Sequence, residues 1–165
     1  MKKALLSLLA VCLLAVSLTA CSGGGTTTSK LVDMNLLRVN MMSAASLRDG
    51  VTSVSGNMED AEKNFSYIST LSYDKVVDYF IVYSTEGTAD EIAVIAVKDA
   101  ADVSEAASTL RAHVDDRLKL FQQYGPDQAS RVEKAEIFTK DQYAVLLICD
   151  DSDAVKTAFE DFLSS

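Results

Sequence analysis

The sequence predicts an α+β domain. An N-terminal helical segment precedes the order ββα twice, giving a four-stranded, mainly antiparallel sheet with both helices packed on one face. Three observations carry this expectation. Two apolar runs of strand length, EIAVIAVKD at 91–99 and QYAVLLICD at 142–150, each follow a second extended run. Each is itself followed by an acidic turn and an amphipathic helix. "AVIAVKDAADVSEAASTL" and "AVLLICDDSDAVKTAFEDFL" therefore repeat the same parts in one order, and a hydrophobic sheet face needs a helix layer to cover it. The pattern leaves the strand order open.

The elements follow in turn. Met34, Leu37, Met41, Ala44 or Ala45, and Leu47 recur at helical spacing within residues 31–50, and Asp49-Gly50 supplies a stop. The methionines read as flexible core filler. VTSVSGN at 51–57 is a loop or short extended piece, and 58–68 adds a short helix with Asn57 and Asp60 in capping-box spacing. A turn of helix in LSYDKVVDY leads into a strand at 78–84, which pairs as a hairpin with the strand at 91–99 across the polar turn containing Gly87. Asp99 and Asp102 offer alternative caps for a long helix whose stripe is Val103, Ala107, Leu110, Val114, Leu118 and Phe121. Pro126 forces its predecessor out of the helical region and ends that helix. EIFTK at 136–140 and the 142–150 run form a second hairpin. The last helix, 152–163, turns Val155, Phe159 and Phe162 inward and is capped by Asp151 or Ser152.

The N-terminus reads as a targeting segment. Lys2 and Lys3 precede a short apolar run, Ala4 to Leu18, of signal-peptide length. Leu18-Thr19-Ala20-Cys21 resembles the lipobox of bacterial lipoproteins, which are cut before the cysteine. That resemblance implies a signal peptide over 1–20 and a diacylglyceryl thioether on Cys21. Two acyl chains hold a protein on a bilayer far better than one. SGGGTTTSK at 22–30 has no side chain able to build a core and suits a flexible tether, so 21–30 is the lipidated cysteine with its linker and 31–165 a single domain. An ordinary secretory signal with an incidental cysteine, or a simple hydrophobic anchor, is the alternative. The expected location is the extracytoplasmic face of a cell membrane.

Composition narrows the partners. Removing residues 1–20 from the 165 leaves 145, enough for one domain with a real core, and losing Lys2 and Lys3 takes the formal charge from −9 to −11. No basic stripe exists to neutralise phosphates, so nucleic acid is excluded as a partner. Cys12 lies in the signal segment and Cys21 carries the lipid, which leaves Cys149 alone in the domain and no intramolecular disulfide.

The pieces "KVVDYFIVY", "ADEIAVIAVKD", "LKLFQQYGPDQ" and "AEIFTKDQYAVLLICDD", followed by an apolar-acidic helix, resemble the DUF4358 family of exported lipoproteins over roughly residues 31–163. Phe121, Tyr124 and Pro126 match its helix-end aromatic and Tyr-x-Pro element. Asp90 and Glu91 match its acidic pair. Where many members carry a glycine in the second hairpin turn, this chain has Lys140-Asp141-Gln142. The resemblance implies an envelope protein of Gram-positive, Clostridia-like bacteria. It implies no activity, because the family has none established.

No complete catalytic constellation is legible. His113 is the one histidine and lies one step off the apolar stripe, so neither a hydrolase triad nor a histidine-based zinc site assembles around it. Asp150, Asp151 and Asp153 lack the glycine and glutamate of a calcium loop and serve a helix N-terminus instead. Asp90 and Glu91, adjacent on a strand, point to opposite faces, against a shared acid–base site. GGG at 23–25 lacks the helix and lysine of a phosphate loop. Tyr79 and Tyr83 share one strand face, packed under helices or exposed as a binding patch. With Asp90, Glu91 and Tyr124 they are the candidate binding residues. The expectation is a non-enzymatic binding or accessory module without metal or cofactor, meeting an envelope protein or cell-wall ligand. The alternatives are an envelope hydrolase whose carboxylates converge only in the fold and a purely structural lipoprotein.

Overall fold

The computed structural model describes residues 31–47 and 50–165. The expected signal segment, Cys21 and linker lie outside the described residues. Among the described residues no helix is long and apolar enough to cross a membrane.

The chain is α+β, built on five antiparallel strands where the sequence predicts four. In chain order the elements are α1 (Met34–Ala44), β1 (Val51–Ser55), α2 (Ala61–Phe65), β2 (Val76–Ser84), β3 (Glu91–Val97), α3 (Val103–Tyr124), α4 (Pro126–Val132), β4 (Glu136–Lys140), β5 (Tyr143–Ile148) and α5 (Ser152–Ser164). Single 3-10 turns precede β2 and α3. The strand order is β1-β2-β3-β5-β4.

The extra strand is VTSVS, which pairs with β2 from Val51 opposite Ser84 to Ser55 opposite Phe80. Its serines gave it no apolar alternation. The ladder is closed at both ends by glycine backbone, with Thr85 N donating to Gly50 O and Gly56 N to Tyr79 O. β2 and β3 form the expected hairpin across Gly87, whose φ of +78° suits a residue without Cβ. In the β4–β5 hairpin, Lys140 pairs with Tyr143, and Asp141 takes the left-handed conformation at φ +52°. Aspartate tolerates that region better than most side chains, so the turn forms without glycine.

The second correction concerns layers. The helices cover both faces of the sheet. α2, α3 and α4 lie on one face, over Ile81, Ala93, Ile95, Ala144 and Leu146. α1 and α5 lie on the other, over Phe80, Val82, Val94, Val145 and Leu147. The cause is in the central strands: every residue of β3 and β5 is buried, so each face presents apolar side chains that must be covered. The placement also limits the internal echo. A two-fold axis normal to the sheet would relate β2–β3 to β4–β5 but put α3 and α5 on one face. They sit on opposite faces, so the repeat is one of element order only.

Caps differ in detail. Asp33 caps α1 by accepting from Asn35 N and Leu36 N, and that helix ends at Ala44, before Asp49-Gly50. Asp60, without a side-chain cap bond, occupies the α2 N-cap position, and Asn57 instead meets Ser55 Oγ. Asp99 accepts from Ala101 N in the turn before α3. Asp151 stands at the α5 N-cap position, but its carboxylate accepts from Ser46 N and so ties the α1 exit to α5.

Tyr79 belongs to the core. It is wholly buried, meets Phe65 and Tyr73 edge-on, and donates from its hydroxyl to Ala61 O at 2.6 Å. The exposed tyrosine patch therefore fails at this residue. Burial pushes its phenol up to about 12. Tyr79→Phe removes a buried hydrogen bond to the Ala61 carbonyl and is expected to cost about 0.5–1.5 kcal/mol in urea unfolding at neutral pH. The folded value lies above the unfolded value of about 10, so this group's contribution is complete below pH ~10 and is lost as pH rises toward 12. Alkaline titration of the wild type should show that loss, and Tyr79→Phe should lack its share of it.

Candidate functional site

The site grows from one acid at the start of a buried strand. Glu91 opens β3, and alternation turns it with Ala93, Ile95 and Val97 toward α3. It is only 2% exposed, a burial that a carboxylate tolerates when it is paired and hydrogen-bonded. α3 provides both partners. His113 and Arg117 are four residues apart and so share one helix face. His113 Nε2 lies 2.8 Å from Glu91 Oε1, and Arg117 Nε lies 3.1 Å from Glu91 Oε2. The arginine contact is an ion pair out of hydrogen-bond alignment, and its Nε is sealed from solvent. Arg117 Nη2 donates to Ala89 O at 3.3 Å, and the guanidinium carbon stands 5.2 Å from the Phe121 ring centroid. Stacking on that ring fixes the plane of the fork.

The triad forms the floor of a cleft of about 260 Å³. Its walls are Val54 from β1, Ile81 and Tyr83 from β2, and Asn64, Tyr67 and Ile68 from α2 and the turn after it. Tyr83 sits directly opposite Glu91 in the β2–β3 ladder. Tyr67 stands at the rim, 67% exposed. The cleft is thus apolar and aromatic on its sides and charged at one corner.

Asp90 goes elsewhere. It is fully buried, accepts from Thr88 Oγ1 at 2.8 Å, and pairs at 3.1 Å with Arg131 of α4, which also holds Asp150 at 2.7 Å. The acidic pair therefore splits between two arginines on two helices and shares no site. Tyr124, at the last position of α3, is 74% exposed and does not line the cleft. Of the residues singled out from sequence, Tyr83 and Glu91 meet in the cleft, Tyr79 lies in the core, and Asp90 and Tyr124 stand apart. Cys21 lies outside the described residues. His113, read from sequence as a flank residue, and Arg117, Asn64 and Tyr67 complete the site. The available signal was the four-residue spacing of His113 and Arg117 beside the stripe, opposite a single acid on an apolar strand.

Other reactive groups are quiet. Burial pushes the Cys149 thiol up to about 11, which disfavours the nucleophilic thiolate. Ser69 and Thr109 hydroxyls are 2.6 Å apart; Thr109 donates to Ala106 O, which leaves Ser69 donating to Thr109. Among the described residues no group of three or more His, Cys, Asp or Glu side chains is arranged to hold a metal ion.

A family profile described as "Domain of unknown function (DUF4358)" matches residues 51–149. The chain belongs to the DUF4358 family. The match runs from β1 through β5 and takes in every residue of the cleft. α1 and α5, which cover the second face of the sheet, fall outside it. No curated protein and no solved structure matches the chain.

Proposed function

We propose that this DUF4358 chain is a lipid-anchored, extracytoplasmic binding or accessory module of the cell envelope, non-enzymatic, with the Glu91–His113–Arg117 cleft as its binding site. The observation that carries the reading is the cleft itself: a concave, mostly apolar space with a few convergent polar groups, as small-molecule sites usually have. The anchor rests on the lipobox and linker sequence, Leu18 to Lys30.

One observation favours the envelope-hydrolase reading. Glu91 against His113 at 2.8 Å pairs a carboxylate with an imidazole as an acyl-transfer triad does, although through Nε2 where the serine-protease pattern uses Nδ1. Its missing half is the nucleophile, since no described hydroxyl or thiol hydrogen-bonds His113 and both Glu91 oxygens are engaged. Arginine-held carboxylates are poor general bases.

Two measurements test the proposal. Mass spectrometry of the mature N-terminal peptide should find an acylated Cys21 at the first position; an unmodified cysteine, or a chain retaining Met1, refutes the anchor. Ligand-detected NMR with a panel of small aromatic and aliphatic compounds should find binders that Val54→Trp, filling the cleft mouth, displaces. Turnover of a cell-wall or peptide substrate, abolished by Glu91→Gln in a folded protein, would instead establish the hydrolase.

A further inference from the structure

We infer that the cleft selects a small carboxylate on an apolar or aromatic body, its carboxylate received by the outer edge of the Arg117 guanidinium. The inference rests on the cleft being a binding site and adds the chemistry of what enters it.

The donor inventory of Arg117 points there. A guanidinium carries five N–H donors and no acceptor. Here Nε faces Glu91 without hydrogen-bond alignment, and Nη2 makes one long bond to Ala89 O. Nη1 has no acceptor among the described residues, although Arg117 lines the cleft and its side chain keeps 20% of its exposure. The fork is held in place by Glu91 on one side and by the Phe121 ring beneath it. A fixed planar fork with donors to spare matches a carboxylate, which accepts two parallel N–H bonds.

The rest of the cleft excludes other charges and polar bodies. An ammonium would need a free acceptor, but Glu91 is buried and its two oxygens already face His113 and Arg117. No other acid lines the cleft. A sugar-like body is disfavoured, because Val54, Ile68 and Ile81 offer its hydroxyls no partners and leave only Asn64, Tyr67 and Tyr83 on the walls to meet them. The Arg117 guanidinium offsets the Glu91 carboxylate, so the corner carries no net negative charge to repel an anion. The chain's overall charge of −9 acts weakly at that point, because salt screens exposed charges beyond about 8 Å. The volume, about 260 Å³, sits just below the range of drug-sized sites, roughly 300–1,000 Å³, and suits a compact acid.

Three probes of one shape separate the possibilities: phenylacetate, phenylacetamide and phenethylamine. Each is titrated into the full-length chain at neutral pH, where the acid and the amine are both charged, with binding followed by the amide signals of Val54, Ile68, Tyr83 and Glu91. Phenylacetate should shift these signals and bind at least about tenfold more tightly than the amide, and Arg117→Lys, which keeps the charge but not the fork, should weaken it by a similar factor. Equal binding of acid and amide, or tighter binding of the amine, overturns the carboxylate assignment while the cleft remains a binding site. No shift from any of the three overturns both. The acid–amide comparison uses the unaltered chain, so it stands even if Arg117→Lys fails to fold.

Discussion

Arg117→Met should lower folding stability by about 3–5 kcal/mol, read as a shift of the urea midpoint at unchanged slope. The cause is the carboxylate left behind. Glu91 is 2% exposed, and its Oε2 loses the Arg117 guanidinium while Oε1 keeps His113. A buried ion is costly chiefly when its partner is removed, which is why breaking the pair from one side is so unfavourable. Two further variants separate that cause from lost packing. Glu91→Gln removes the charge but keeps the shape, so it should cost less, about 1–3 kcal/mol for imperfectly satisfied polar atoms. Glu91→Leu combined with Arg117→Met should recover most of the stability lost in Arg117→Met alone, because apolar replacement of a whole buried pair is often neutral or better. A double variant as unstable as the single one would mean that the arginine acts through its stacking on Phe121 and not through Glu91.

These variants bear on function as well as stability. A pair that contributes little as an intact unit, yet is costly to break, gives the fold no strong reason to hold it. Leucine and methionine would fill the same space more simply. Its position at the floor of an open cleft, with Nη1 unspent, is what supports the proposed binding role.

The sequence carried the element order well because the apolar periods are clean. β2, β3, β4, β5, α3 and α5 fall where the runs and stripes place them, and Pro126, expected to end the long helix, also stands at the first position of α4, where its fixed φ fits. β1 is not legible because a five-residue strand with three hydroxyl side chains has no period to detect; its pairing is decided by β2, whose partner residues lie 33 positions away at Val51–Ser84 and 25 at Ser55–Phe80. The layering was readable but misjudged. Runs such as AVIAV and YAVLLI are apolar at every position, and a strand of that kind is covered on both faces. The site was only half legible. Glu91 and Tyr83 are legible as a conspicuous acid and an aromatic on the Tyr79 face of its strand, packed or exposed. That His113 lies above Glu91, 22 residues distant in sequence, depends on the crossing of α3 over β3, which no local pattern encodes.

Phe159→Ala, on the face of the sheet outside the family match, should cost about 3–5 kcal/mol, as large as any core truncation on the α3 side. Phe159 has no exposed surface and meets Phe138 and Tyr143 edge-on at 5.5 and 5.9 Å, so its loss removes two aromatic contacts and opens a cavity under α5. The reason lies in the sheet. Phe80, Val82, Ile92, Val94, Val145 and Leu147 all point to this face, and α1 and α5 are what keeps them from water. A domain limited to residues 51–149 would expose that surface, so the two flanking helices are part of the folding unit although the family match stops short of them. Additivity separates this arrangement from a sheet covered on one side. Leu110→Ala, in the α3 layer, should cost about 2–5 kcal/mol, and Phe159→Leu, a milder change that keeps the double variant folded, less than about 1.5. With the sheet between them the two should add to within about 0.5 kcal/mol. If α3 and α5 instead shared one face, these side chains would pack in one layer, and the double variant would depart from the sum by more than that.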